Sequence, residues 1–393
     1  MFKKHFKVIL GNWLNGQDGL SEPFNKKKIL FLDEISKEIV NDEKLNIYPD
    51  LKDFGFWCRK KNIERYQKNL NNNLNLIGRG IALHIPPSNV PMNLAFTMAI
   101  GIISGCENFI RIPEKDFPQI NSLLKIMKKV LSYRNFRELK KSLCFIKYIK
   151  SDLKSSMLSK ISDVRLIWGG DSTVKKFKEY DTKTKNVDLY FPNKISGSLI
   201  NIDELKKLKS HEFTNLVYKF YIDAYLMDQK GCSSPKIIFW YGKNIDIKKK
   251  FYTKLRTLIT KKYQLDFSRT SDKLYLLNEL AIKNTSKVET KLKNIDLVTI
   301  DLKKPPNYNL YNNLAYGIFF SVDIKNLNNI RKYISENFQT LSYFGFNKET
   351  LTNLIVKKRF KGIDRIVPIG SAFEMNLVWD GYDLIKSMTR SIS

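Results

Sequence analysis

A chain of 393 residues, 43% of them hydrophobic and 12% aromatic, is long enough for two packed domains and too apolar to be disordered. Its formal net charge of +29 suggests nucleic acid or an anionic membrane as a partner. The basic pairs are spread along the whole chain, however, and none lies in a recognisable nucleic-acid motif. We therefore predict no specific nucleic-acid partner. Dispersed solvated lysines, or attraction of anionic substrates, account for the charge.

The cysteines are too far apart in sequence to suggest a metal site. There is no Cys-x-x-Cys pair and no histidine at metal-ligand spacing from any of them. The first residues lack the small-residue cleavage site of a signal peptide, and the longest apolar stretch, 94–103, is too short to span a bilayer. We expect a cytoplasmic protein, in which thiols stay reduced and are more often catalytic than structural.

The predicted elements of the first half of the chain alternate between strands and helices. Before this alternation, helices are predicted at 35–47 and 56–70 and a loop at 69–75. The predicted strands are 79–85, 109–112, 143–148, 163–168, 187–191 and 198–201, and the clearest helices are 93–104 and 117–130. Such alternation with short connections is typical of a parallel sheet with crossover helices.

From about residue 203 the pattern predicts a second α/β region. Helices at 204–209 and 215–228 precede Cys232, and a strand at 236–241 and a helix at 246–263 follow it. We therefore expect boundaries near residues 203 and 365, with the last segment, 366–393, packing back on the protein or lying at a subunit interface.

Two predicted turns follow strands of the first region, where open parallel sheets bind their ligands. One is Pro86–Pro91. The other, Trp168–Thr173, contains Gly169 and Gly170 and enters a helix from about Ser172. Paired glycines let the backbone approach a diphosphate, and a helix N-terminus adds N–H groups, although ordinary tight turns also need glycine.

Two further residues of this region have alternative interpretations. Arg111, at the end of the strand 109–112, can hold a ribose 2′-phosphate or can be an ordinary exposed arginine. His84, on the strand before the first turn, fits a hydrogen-bonded core histidine better than a catalytic group.

Cys232 is the best candidate for a nucleophile among the cysteines. It follows an aromatic helix, and Gly231 before it and two serines after it leave room for a substrate. A thiolate attacks thioester and aldehyde carbonyls readily. The other cysteines, Cys58, Cys106 and Cys144, lie in less open contexts, and any single cysteine can also be a small buried hydrophobe.

Several segments together resemble the LuxC-type acyl reductases, a branch of the aldehyde dehydrogenase superfamily that includes the fatty acid reductase of bacterial luminescence. They are GRGIALHIPPSNVP, GIISGCENFIRIP, LIWGGDSTV, DQKGCSSPKIIFW and GIDRIVPIGSAFEMNLVWDGYDLIKSMTRSI. The resemblance covers the chain from about residue 78 to its end. It implies an aldehyde dehydrogenase-like α/β fold, with a Rossmann-type NADP-binding domain at 1–203 and an α/β catalytic domain at 204–365.

The resemblance also implies roles for individual residues. Cys232 takes the acyl group as a thioester, which NADPH reduces to an aldehyde. Asn89, in a Pro-x-Asn-x-Pro turn, matches the amide that stabilises the oxyanion, with the Cys232 backbone N–H as second donor. The residues that match cofactor-binding positions are Pro87, Arg111, Gly169, Gly170 and Ser172.

One departure from the superfamily concerns the base that activates water. Hydrolytic aldehyde dehydrogenases have a glutamate before a Gly-Gly-Lys element, whereas the corresponding segment 190–196, YFPNKIS, has no carboxylate. An acyl thioester should therefore survive until a thiol or a hydride reaches it. This favours acyl transfer and reduction over oxidation of an aldehyde to a free acid. Separately, we expect an acyl-CoA or an acyl group from a partner acyl-protein synthetase as the substrate, and a homo-oligomeric enzyme.

Two alternatives remain open at this stage. One is a CoA-acylating aldehyde dehydrogenase that works in the oxidative direction, and the other is a non-catalytic basic binding module.

The terminal motif Trp379-Asp380-Gly381-Tyr382 and Arg390 also resembles the family, and we interpret it as packing or subunit contact.

Overall fold

The computed structural model describes residues 5–68, 75–283, 296–306, 311 and 314–392. The chain forms two compact units. The first comprises Met1–Pro192 together with Met375–Ser393, and the second comprises Asn193–Glu374. Within the described residues, no helix combines the length and the apolar character that crossing a bilayer requires.

The first unit is built on a six-stranded sheet. Up to Pro192 the described residues of the unit form seven strands. In chain order they are β1 (Lys7–Gly11), β2 (Asn75–Gly78), β3 (Ile81–Ile85), β4 (Glu107–Arg111), β5 (Leu143–Lys147), β6 (Val164–Trp168) and β7 (Val187–Phe191). All but β2 belong to the sheet, in the order β1-β5-β4-β3-β6-β7. Only β1 is antiparallel to its neighbour, so the rest is a parallel sheet. Every residue of β3 is buried, as expected of a strand covered on both faces.

Helices cover this sheet. They are α1 (Lys26–Asn41), α2 (Pro49–Trp57), α3 (Lys60–Lys68), α4 (Asn93–Ile103), α5 (Pro118–Val130), α6 (Asp152–Ile161) and α7 (Asp171–Lys178), with 3-10 turns at Glu43–Ile47 and Arg134–Ser142. The Asn25 side chain accepts the backbone N–H groups of Lys27 and Lys28 and so starts α1.

The two helices predicted before the alternation are wrong in their bounds. The helix predicted at 35–47 instead begins at Lys26, and the one predicted at 56–70 is two helices, α2 and α3. Phe31, Leu32 and Phe54 are fully buried and precede the predicted starts, so the packed faces extend further towards the N-terminus than predicted. The predicted loop 69–75 lies outside the described residues except for Asn75, which begins β2.

The second unit contains a wholly parallel sheet. Its strands are β8 (Ile195–Asn201), β9 (Pro235–Tyr241), β10 (Val298–Asp301), β11 (Ile318–Ile324), β12 (Phe338–Phe344) and β13 (Arg365–Pro368), in the order β10-β11-β9-β8-β12-β13. Each pairing is parallel. The helices are α8 (Ile202–Lys207), α9 (Ser210–Tyr225), α10 (Ile245–Lys262), α11 (Phe267–Lys283) and α12 (Lys348–Lys357), with a 3-10 turn at Leu327–Tyr333.

Because strand β8 belongs to the second unit, the boundary between the units lies after Pro192 and not at the predicted residue 203. Sequence alternation assigned 198–201 to the first sheet, but β8 pairs with β9 and β12 in the second. The same applies at the other boundary, since β13 and the loop up to Glu374 belong to the second unit, and only Met375–Ser393 returns to the first.

The returning segment packs within the first unit. It forms β14 (Val378–Trp379), β15 (Tyr382–Asp383), α13 (Leu384–Met388) and β16 (Thr389–Ile392), and β16 pairs antiparallel with β2. The Trp379 ring lies 5.9 Å from Phe96, and the Tyr382 ring lies 5.6 Å from Phe191. This part of the terminal motif is therefore packing, whereas Arg390 is an exposed residue of β16.

Candidate functional site

The first sheet reverses its direction of growth at β3. The chain adds β4 and β5 on one side of β3 and then crosses to add β6 and β7 on the other. Ligands of open α/β sheets bind at such a switch point, beyond the carboxyl ends of the strands. The turn with Pro87 and Asn89 follows β3, the Gly169-Gly170 turn follows β6, and β3 and β6 are hydrogen-bonded neighbours. The structure thus brings the two predicted turns to adjacent strand ends.

The Gly169-Gly170 turn joins β6 to the N-terminus of α7, an arrangement that can bind a phosphate. Gly170 caps α7 at φ −61°, a conformation that any residue adopts, so the backbone does not itself require glycine there. At Gly169 a Cβ would lie 3.0 Å from Thr173 side-chain atoms. The helix starts at Asp171, one residue before the predicted Ser172, and both residues are exposed beside the N–H groups of its first turn.

Three buried polar atoms near this edge lack a hydrogen-bond partner among the described residues. One is Nε of Arg111, a predicted site residue, and the other two are Trp168 Nε1, at the end of β6, and Asn93 Oδ1, at the start of α4. The Trp168 ring stacks on Phe191 with centroids 3.7 Å apart, which fixes its orientation. Because unsatisfied buried polar groups are costly, their presence here fits a polar ligand. Sequence analysis missed Trp168 and Asn93, although Trp168 directly precedes the paired glycines.

Arg111 lies at the carboxyl end of β4 but is already engaged. Its Nη2 is 2.7 Å from Glu114 Oε1, and its guanidinium lies 4.7 Å from the centre of the Tyr148 ring. The same Glu114 oxygen accepts the Lys150 backbone N–H at 2.6 Å. A 2′-phosphate at Arg111 would therefore meet a carboxylate as well as a guanidinium.

His84 is a core histidine, as predicted. It is fully buried, with Nδ1 2.8 Å from Thr97 Oγ1 and Nε2 3.0 Å from Asn108 Oδ1. Burial lowers its pKa to about 4, so the ring is neutral near pH 7. It therefore supplies no proton to the chemistry of a bound substrate.

Cys232 is the one exposed cysteine among the four. It lies between α9 and β9, at the amino end of β9, whereas the turns with Asn89 and with Gly169-Gly170 lie at the carboxyl edge of the other sheet. Burial raises the pKa of Cys58 well above its usual value and that of Cys106 to about 11. Of these thiols, only that of Cys232 is accessible to a substrate.

The backbone around Cys232 is fixed by hydrogen bonds from the neighbouring strands. Ser196 Oγ donates to the Cys232 carbonyl at 2.6 Å and accepts the Thr340 N–H at 3.1 Å. Ser233 Oγ donates to Gln339 Oε1 at 2.9 Å and accepts from Arg365 Nη1 at 3.2 Å. These contacts hold the residues of the turn itself, and none of them uses the thiol.

A second loop, 370–374, lies against the residue before the nucleophile. A Cβ on Gly231 would come within 2.7 Å of the Phe373 ring, so a larger residue there would have to displace that ring. Arg365 donates to the Ala372 and Glu374 carbonyls at 2.9 and 3.1 Å. The Asp223 carboxylate accepts two backbone N–H groups of this loop, at 2.7 and 3.0 Å. Burial raises the pKa of Asp223 to about 7.

Gln229 joins the start of the Cys232 turn to β11. It is fully buried at φ 60°, with Nε2 donating to the Pro235 and Ile318 carbonyls at 2.8 and 3.0 Å. Its Oε1 accepts the Gly317 and Ile318 N–H groups at 3.0 and 3.2 Å. One side chain thus satisfies four backbone groups.

We expect Gln229→Leu to lower the free energy of unfolding by about 3–5 kcal/mol, because it removes four hydrogen bonds to buried backbone groups. Urea denaturation of the full chain measures the change. Gln264→Leu, at an exposed position of the same unit, is the matched control and should stay within about 0.5 kcal/mol of wild type. Equal losses in the two variants would contradict the assigned role of Gln229.

Comparison with known proteins agrees with this architecture. The sequence profile of the family described as acyl-CoA reductase (LuxC) matches residues 55–391. No curated protein matches the chain.

Solved structures share the fold at low sequence identity. Aldehyde dehydrogenase 21 from Physcomitrella patens, in complex with succinate, has a TM-score of 0.63 at 12% identity, covering 93% of this chain and 85% of its own. Lactaldehyde dehydrogenase from Escherichia coli gives the same TM-score, identity and coverage. Methylmalonate-semialdehyde dehydrogenase from Oceanimonas doudoroffii gives 0.62 at 11% identity, over 95% and 86% of the two chains. The fold is that of the aldehyde dehydrogenases, and the chain belongs to the LuxC acyl-CoA reductase family.

Proposed function

We propose that this protein reduces an activated acyl group to an aldehyde through a thioester on Cys232, with NADPH as the reductant. The acyl donor is an acyl-CoA or an acyl-protein thioester supplied by a partner synthetase. The observation that carries the proposal is Cys232 itself, an exposed thiol on a turn held by Ser196, Gln339 and Arg365. Membership of the acyl-CoA reductase family supports the same reaction.

The chain's own groups act in two stages. The Cys232 thiolate forms a bond to the acyl carbonyl carbon, and the donor thiol leaves with the electrons of its C–S bond and takes up a proton. The Asn89 amide and the Cys232 N–H donate to the negatively charged oxygen. When bound, NADPH supplies the hydride that brings the thioester to the oxidation level of an aldehyde. The Cys232 C–S bond then breaks, which releases the aldehyde and restores the thiolate.

Resistance of the thioester to water supports reduction over oxidation to a free acid. The segment 190–196, which joins β7 to β8, carries no Asp or Glu that could activate water. The reaction also needs Cys232 as a free thiol, a state that the reducing cytoplasm maintains. Oxidative acylation of coenzyme A uses the same residues in reverse. The experiment should therefore measure the reaction in both directions.

The test is the purified protein with NADPH and acyl-CoAs of increasing chain length. Aldehyde should form as NADPH absorbance falls, and without NADPH the intact mass should increase by one acyl group, located on Cys232. Absence of both aldehyde and acyl-enzyme with every donor, including acyl-protein, would refute the proposal. Salt-dependent binding of DNA or anionic vesicles without cofactor binding would instead favour a basic binding module.

Cofactor preference gives a second prediction, at Arg111. We expect Glu114→Gln to raise the affinity for NADPH relative to NADH by about fivefold, because it removes a carboxylate from beside the 2′-phosphate position. Quenching of tryptophan fluorescence measures the two dissociation constants. Asp116→Asn, an exposed carboxylate two residues further on, is the control. A change of the same size for both cofactors would place Arg111 and Glu114 away from the 2′-phosphate.

A further inference from the structure

A buried lysine lies on the strand that follows the nucleophile. Lys236 is the second residue of β9, and only 5% of it is exposed. Its ammonium donates to the carbonyls of Gln229 and Leu314. Among the described residues it forms no ion pair, which is unusual because buried cations are nearly always paired with an acid. A cation kept in such a place is a candidate for a functional role.

The charges that act on this cation include that of the nucleophile. Burial lowers the pKa of Lys236 to about 7, and the charge of Cys232 is the largest opposing influence, while Lys230 acts in the same direction as burial. A second buried lysine, Lys273 on α11, also has its pKa lowered to about 7 by burial and donates to the Tyr316 carbonyl, but its opposing charge is Asp296. Both lysines donate to a backbone carbonyl of the segment 314–316. They differ in the negative charge that opposes the effect of burial on the pKa, which is Cys232 for Lys236 and Asp296 for Lys273.

The other charged groups near the turn are engaged elsewhere. Lys230 is exposed, with its ammonium 4.5 Å from the centre of the Tyr316 ring. The Asp228 carboxylate accepts from Tyr263 Oη at 2.8 Å and lies 3.4 Å from Arg269 Nη1. Arg365 donates to Ser233 and to the 370–374 loop. Lys236 is thus the buried cation closest in sequence to Cys232.

We propose that Lys236 is a positioning residue for Cys232, whose buried ammonium holds the turn through the Gln229 and Leu314 carbonyls and stabilises the thiolate. This inference rests on the proposed function only in taking Cys232 as the nucleophile. A positive charge in a poorly solvated place favours a nearby anion, so removal of the charge disfavours the thiolate. The effect disappears at alkaline pH, where Lys236 itself loses its proton.

Alkylation by iodoacetamide tests this on the full chain without substrate or cofactor. The thiolate displaces iodide, and mass spectrometry locates the product on Cys232, with Cys232→Ala as the blank. We expect Lys236→Met to move the pH midpoint of the alkylation rate upward by about one unit, which is about tenfold less thiolate at neutral pH. Lys273→Met, which also removes a buried ammonium from the 314–316 segment, should leave the midpoint unchanged. No shift, or equal shifts in the two variants, would overturn the proposal.

If Lys236→Met fails to fold, the pH midpoint of the wild-type protein still tests the proposal. That midpoint should lie below the ordinary thiol value of about 8.5, and a midpoint at or above that value refutes stabilisation of the thiolate. Failure of the proposed function has a different signature. Aldehyde formation with an unshifted midpoint refutes only the role of Lys236, whereas a shifted midpoint without acyl-enzyme refutes only acyl reduction.

Discussion

Cys232→Ala is expected to lower kcat/KM for aldehyde formation by more than about a thousandfold, because no other group can hold the acyl chain as a thioester. The residual rate should be insensitive to iodoacetamide, whereas wild-type activity should be lost on alkylation. The acyl-enzyme mass should also disappear. Initial rates at saturating NADPH measure the change.

Two measurements separate loss of the nucleophile from loss of the fold. Cys232 is exposed, so the alanine variant should unfold within about 0.5 kcal/mol of wild type. Cofactor affinity should also be retained, because Gly169 and Gly170 belong to the other unit. Cys144→Ala, at a buried thiol on β5, is the matched control and should keep most of the activity. A Cys232→Ala enzyme with more than a tenth of wild-type activity would exclude a thioester at this residue.

Asn89→Ala should have the second largest effect, a fall in kcat of roughly 10²–10³-fold. Loss of one preorganised donor to a developing oxyanion typically has this size. KM should change little, because the amide acts on charge that develops after binding. Steady-state kinetics with a single acyl-CoA at several concentrations distinguishes the two parameters.

The turn that carries Asn89 offers its own control. Ser88 is exposed in the same turn, and Ser88→Ala should leave both parameters within about twofold of wild type. A rise in KM at unchanged kcat in Asn89→Ala would mean that the amide binds the substrate in its ground state. That result would remove Asn89 from the oxyanion site and leave the role of Cys232 intact.

Local sequence pattern located most strands because the parallel sheets consist of short apolar runs between polar turns. The strand predicted at 187–191 has its observed bounds, and 143–148 differs from β5 by one residue. Sheet membership is not a local property, however. The run that forms β8 continues the alternation of the first sheet in sequence and pairs in the second, so the boundary at 203 was wrong.

The residues of the candidate site also differ in whether local sequence could identify them. Cys232 and the paired glycines stood out because their sequence neighbours already indicate an open turn. Asp223 could not be connected to the 370–374 loop, because its partner Ala372 is 149 residues away. Its one local signal is a carboxylate between the buried Phe220 and Ala224 on an otherwise apolar helix face. Lys236 resembles any other lysine in a basic chain until its burial is known.

The second unit lies between two segments of the first, and this order has a consequence for biosynthesis. A ribosome completes Asn193–Glu374 before it adds Met375–Ser393. Until then the first unit lacks β16 beside β2, and the Met375 carbonyl that accepts from Trp57 and Tyr66. The unit that carries the Gly169-Gly170 turn is therefore the first to begin synthesis and the last to be complete.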